Sequence, residues 1–189
     1  MYVNPHNIML SLFALLERNS QQINKVVRVY QDQRSLSVID GLRPTLPVDA
    51  YPTMEIEPTN ADNIWATTRA QRPTYNFECT VTVRVDNLKY GVEYITTLSG
   101  IVCEIMTSPE NLQLKIVNET RWDANAGLVD VYMLDSLVTT VTYNAVKDGS
   151  IRMAEFSWFV LVHEPFPESK WLIGDFNMPS IVRPQILVL

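Results

Sequence analysis

The most regular pattern in the chain runs from Phe77 to Val85. Phe77, Cys79, Val81, Val83 and Val85 are apolar and the residues between them are polar. Strict alternation marks a strand with one buried and one wet face, because successive side chains leave opposite sides of the pleat. Two segments have a helical period instead. After Asn4-Pro5, suited to an N-cap and a first helical position, apolar residues recur at Ile8, Met9, Leu12, Phe13, Leu15 and Leu16. Tyr94, Leu98, Ile101, Val102, Ile105 and Met106 form a second stripe within residues 90–106, and Ser108-Pro109 ends it. Gly100 lies inside that stripe. A mid-helix glycine is worse than alanine by about 1 kcal/mol, so a close backbone contact is expected there as compensation.

Other segments read as strands. The Val-rich run Lys25–Tyr30 predicts a short one, and residues 51–57 alternate between Pro52 and Pro58. Further strands are predicted over residues 112–117, 127–134 and 137–146, and Asp148-Gly149 predicts a hairpin into residues 151–163. Phe156-Ser157-Trp158-Phe159-Val160-Leu161-Val162 is apolar on both sides of the pleat, which predicts a central strand covered on both faces. Proline placement sets the frame. Pro109 is the only proline between Thr74 and Glu164, whereas residues 40–73 hold five and the segment from Pro165 holds four. Proline lacks an N–H and avoids central strands and helix interiors, so the regular core is expected within 74–164. The expected fold is α+β: a mainly antiparallel or mixed β-sheet with two packed α-helices, plus an extended arm and a C-terminal tail. Residues 1–164 read as a single core domain with an irregular excursion over 31–73, and 165–189 as the apolar tail.

Composition narrows the function. The 189 residues are 47% apolar and 19% charged, which is globular rather than disordered. Fifteen basic and twenty-one acidic side chains give a net charge of −6, which argues against a nucleic-acid-binding or polybasic membrane surface. Residues 8–16 are apolar, but no basic segment precedes them and Glu17-Arg18-Asn19 follows where a secretory signal would carry small residues. No stretch approaches the roughly 18 apolar residues of a membrane span, so no membrane partner is expected.

The residue types that carry chemistry are dispersed. The six glycines are at least nine residues apart, which excludes a phosphate-cradling loop or a dinucleotide fingerprint. GxSxG and HExxH are absent. His6 falls in a first helical turn and His163 closes a strand, and the carboxylates around them are too scattered to complete a metal site. Cys79 and Cys103 read as small buried hydrophobes, with no basic cluster nearby to create a thiolate. No catalytic, metal-ligating or cofactor-binding residue is assigned, no cofactor is expected, and the chain is read as a protein without enzymatic activity.

What stands out is apolar sequence outside the core. Residues 61–72, with Trp65 and Arg69 among Thr and Asn, read either as an arm laid across a neighbour or as an excursion folded back on its own domain. The end of the chain carries Trp171-Leu172-Ile173, Phe176, Met178 and Ile186-Leu187-Val188-Leu189, with Pro179 and Pro184 between. Such a segment either docks on its own sheet or adds as a strand to a neighbouring subunit, and the second is preferred. Trp65, Arg69, Trp171, Phe176, Ile186 and Leu189 are the candidate interface residues.

The order of elements carries a resemblance. An amphipathic helix, a strand and an irregular passage ending in "YPTMEIEP" precede Trp65 and "ATTRAQRPTYNFECTVTVRV", and a helix "YGVEYITTLSGIVCEIM" and further antiparallel strands follow. Over roughly residues 5–165 this resembles the tail terminator (tail-completion) proteins of long-tailed bacteriophages. The resemblance implies an α+β subunit of a generally sixfold ring on the tail tube. That ring ends tube polymerisation and joins tail to head in a virion assembled in the host cytoplasm. The implied partners are copies of itself, the tail tube protein and a head-completion or neck protein, with the tail sheath as a further candidate and DNA only as cargo passing through the lumen. Another neck or head-closure component is the alternative, and a small-ligand-binding enzyme or module is a third class.

Overall fold

The computed structural model describes residues 5–30, 35–40, 51–66, 70–85, 87–111, 132–146 and 150–165. Among them the fold is α+β: three α-helices and one six-stranded mixed sheet.

Helix α1 (Pro5–Arg18) buries Ile8, Met9, Leu12, Leu15 and Leu16, the stripe its spacing predicts. Asn19 both ends it and starts the next helix. Its backbone and side-chain amides donate to Leu15 O at 3.2 and 2.9 Å, and its own carbonyl accepts from Gln22 and Ile23. Residues 25–30, predicted as a strand, instead lie in α2 (Ser20–Tyr30). The β-branched run is overridden by packing: Ile23, Val26, Val27 and Tyr30 follow an i, i+3, i+4, i+7 stripe toward the core. Val29, off that stripe, is 74% exposed. Tyr30 stacks on Tyr94 of α3 (Gly91–Thr107), with ring centroids 4.7 Å apart.

The excursion expected over 31–73 holds much of the sheet. β1 (Ser37–Asp40) runs parallel to the start of β2 (Thr53–Ala66), which pairs antiparallel with β3 (Ala70–Arg84). The strands run through Pro58 and Pro73, contrary to the proline argument, and on the side away from the β2–β3 ladder neither proline faces a paired residue. Pro58 lies beyond the last β1–β2 pair, Asp40 with Ile56, and next to a register shift between Pro58 and Asn60. Pro73 sits where the ladder from β3 to its other neighbour passes from Gln71 to Thr74.

That neighbour is β6 (Ile151–Pro165), the central strand. Along its far side lie β4 (Tyr132–Val138) and then β5 (Thr142–Val146), both antiparallel to it. The β5–β6 pairing closes the hairpin predicted at Asp148-Gly149. Between β4 and β5, Thr139 holds the place of a ladder residue. Its backbone N–H donates to Ser157 O at 3.0 Å, and its hydroxyl accepts from Ser157 N–H at 2.9 Å.

The core lies between the helices and one face of the sheet. Phe77, Cys79, Val81 and Val83 of β3 and Phe156, Trp158, Val160 and Val162 of β6 are buried there against Leu98, Val102 and Met106 of α3. Phe77 and Trp158 sit opposite each other, with centroids 5.1 Å apart. Ser136 ties three elements together: its hydroxyl accepts from the Trp158 indole at 2.7 Å and donates to Met106 O at 2.7 Å. β6 is central as predicted but not covered equally on both faces, since Ser157, Phe159 and Leu161 on the second face are only half-buried.

Of the helix glycines, the expected close contact is at Gly91 and not at Gly100. A Cβ on Gly91 would stand 3.0 Å from Val85 Cγ2, whereas one on Gly100 meets nothing within 4 Å. The predicted strand over 112–117 falls outside the described residues, as does the tail over 166–189.

Candidate interaction surfaces

The sheet face turned away from the helices is acidic. In one row across it, Glu55 of β2 faces Thr80 of β3, which faces Glu155 of β6, which faces Thr142 of β5. In the next row Glu57 faces Glu78, and Glu78 faces Ser157. The alternation of β3 produces this arrangement, because the register that buries Cys79 and Val81 turns Glu78 and Thr80 outward. Directly opposed like charges such as Glu57 and Glu78 repel, and here both are exposed. Glu155 is steadied by Asn144, whose side-chain amide donates to its carboxylate at 2.8 Å. A polar cleft of about 450 Å³ opens between Glu78, Thr80, Thr139, Thr142, Glu155 and Ser157.

A second surface is the outer edge formed by β4 and β5, which carries exposed Leu137, Tyr143 and Val146. Leu137 is 62% exposed. The third is a groove of about 430 Å³ between the α1–α2 pair and β1, lined by Phe13, Leu16, Ile23, Leu36 and Val38 with Glu17, Ser20, Asn24 and Ser35. Asn24 holds the entry to β1, its side-chain oxygen accepting from Leu36 N–H at 3.3 Å.

Nucleophilic chemistry is not supported at either thiol. Burial pushes the Cys103 thiol up to about 11 and raises that of Cys79 further, with the nearby Cys103 and Glu78 adding to it. Both are therefore protonated at neutral pH. Among the described residues no three His, Cys, Asp or Glu side chains gather into a metal-binding group. His6 is exposed in the first turn of α1, and His163 lies near the end of β6 with its Nδ1 buried.

The candidate interface residues are not brought together among the described residues. Trp65 lies on β2, in register with Arg72 of β3, so the segment read as an arm or excursion is the far part of a β-hairpin paired within its own sheet. Arg69, Trp171, Phe176, Ile186 and Leu189 fall outside the described residues. The groove and the acidic rows were not foreseen. The rows could have been found by extending the even-position pattern of β3 to its neighbours. The groove needs α2 to be recognised as a helix.

No protein-family model and no curated protein matches the chain. Among solved structures, a chain of the virion of a native gene transfer agent (GTA) particle is similar in fold. The TM-score is 0.52 at 12% sequence identity, covering 80% of this chain and 91% of that one.

Proposed function

We propose that the chain is a structural subunit of a phage-like virion that forms a ring at the neck–tail junction, caps the tail tube, ends its polymerisation and joins tail to head. The observation that carries this reading is the shared fold with a chain of the gene transfer agent virion, matched over 91% of that chain's length. The order of elements seen in the sequence points the same way. In this reading the mechanism is assembly. One face of the ring matches the last ring of the tube and the other does not, so growth stops. Closure requires two different surfaces on each subunit that meet under rotation. The outer β4–β5 edge and the groove beside β1 lie at opposite ends of the strand order and could serve as such surfaces. Exposed Glu57 and Glu78, with half-buried Glu155, suit a channel lining that keeps the phosphates of passing DNA from sticking.

Electron microscopy of the purified chain, alone and mixed with tail tubes, tests the proposal. Rings, or caps on tube ends, are expected, with a solution mass that is a multiple of 21.6 kDa. A strictly monomeric protein that neither binds nor caps tubes would sink it. Rings that bind a head-closure partner and ignore tubes would move the chain to the other neck position.

A further inference from the structure

We infer that residues 185–189 (Gln185-Ile186-Leu187-Val188-Leu189) of one copy add as a strand along the edge of β1 that is open among the described residues of a neighbouring copy, placing alternate apolar side chains in the groove between β1 and the α1–α2 pair. The inference deepens the proposed function, from which it takes only that copies of the chain assemble.

Three open strand edges exist among the described residues, and two suit this segment poorly. The free edge of β2 beyond Ile56 soon meets Pro58, which has no N–H to offer, and its exposed residues Glu57, Thr59, Asn60 and Asp62 are polar. The outer β4–β5 edge is broken at residues 139–141, and the cleft close to it is polar. The edge of β1 differs, because an apolar groove lies beside it on the helix side of the sheet. Val38 pairs with core-facing Met54, so Leu36 and Val38 point to that side, with Phe13, Leu16 and Ile23 completing the wall.

The segment fits the edge in length and pattern. Pro184 cannot donate to a ladder, so a paired strand begins at Gln185, and Gln185–Leu189 suffices to cover the four residues of β1. In an added strand alternate residues share a face, so Ile186 and Val188 enter the groove together. Backbone hydrogen bonds supply affinity in such an addition, and the pockets for alternate side chains supply specificity. The groove and the strand are different surfaces, so the contact is head-to-tail. A head-to-tail contact closes into a ring or runs on as a filament, according to the rotation it imposes.

Cysteine pairing in the full chain tests it. A tagged Ser35→Cys chain and an untagged Val188→Cys chain are co-assembled and mildly oxidised, and the double variant S35C/V188C is treated alone. The native thiols are buried or half-buried, so the parent chain gives the background. A covalent heterodimer from the mixture and a ladder from the double variant are expected. The yield should be about tenfold above that of Val188→Cys paired with Glu110→Cys, because docking raises the effective concentration of the two thiols. A closed monomer from the double variant with no heterodimer overturns the inference in favour of docking within one copy. Yields no higher than the Glu110 control, with circular dichroism showing both chains folded, overturn it outright. Rings seen without the cross-link leave the ring reading standing and remove this one. A ladder without rings does the reverse.

Discussion

The two faces of the sheet are made by the same strands and have opposite chemistry. On the helix side, Phe77 and Trp158 meet as an aromatic pair within the core. On the other side, one residue along each strand, Glu78 meets Glu57 and Ser157. The first face holds the fold together by excluding water. The second carries the exposed, directly opposed Glu57–Glu78 pair, which repels. Five measurements bear on this contrast.

The largest effect is expected from Trp158→Ala on the covered face. It removes the largest fully buried side chain and should destabilise by about 3–5 kcal/mol in denaturant unfolding. A loss below 1 kcal/mol would mean that the core is not centred on β6. Ser136→Ala comes next, at about 1–3 kcal/mol, because it strands the Trp158 indole N–H and the Met106 carbonyl without their shared partner. Gly100→Ala, on the wet side of α3, should stabilise by about 0.5–1 kcal/mol, since the added methyl meets nothing. The same change at Gly91 lacks that room, and an equal gain there would contradict the tight approach of Val85.

On the open face, Glu57→Lys replaces a repelling pair with an attracting one and should stabilise by about 0.2–1 kcal/mol. Added salt should stabilise the parent more than this variant, because screening relieves only the parent's repulsion. If the variant is less stable and still forms rings, the carboxylate has a structural partner and the contrast between faces is weaker than drawn. A pH titration reads nothing at neutral pH and an effect only in alkali. Burial raises the Cys103 thiol from 9.0 to about 11 in the folded chain. Its contribution to stability is therefore complete below pH 9 and lost as the pH climbs toward 11, where the unfolded thiol ionises first. A Cys103→Ala chain should lack that part of the decline.

How much of this was legible in the sequence depended on whether one period ran unbroken through an element. β3 was read correctly over Phe77–Val85 because it keeps one register with β6 from Thr74 to Arg84. Its N-terminal part and the part of β2 beyond Glu57 were missed because shifts after Pro58 and Asn63 reset the alternation, so no period of two survives across them. α2 was misread because Val26, Val27 and Val29 favour strands locally, while the decisive contact is a stack on Tyr94, 64 residues away. For β6 the apolar residues on both sides were read as cover on both faces, and half-exposed Phe159 and Leu161 show that composition does not determine what lies above a residue. The candidate interface residues were chosen for being apolar outside the core. That criterion singled out the tail but could not point to the groove proposed to receive it, whose lining comes from α1, α2 and β1.

Thr139 has a consequence for aggregation. By lending its hydroxyl to Ser157 where a carbonyl would normally stand, it divides the outer rim into runs of seven and five residues. Fibrillar stacking needs a long, flat, uninterrupted rim on which an identical segment can settle in register. A rim interrupted in this way resists such growth.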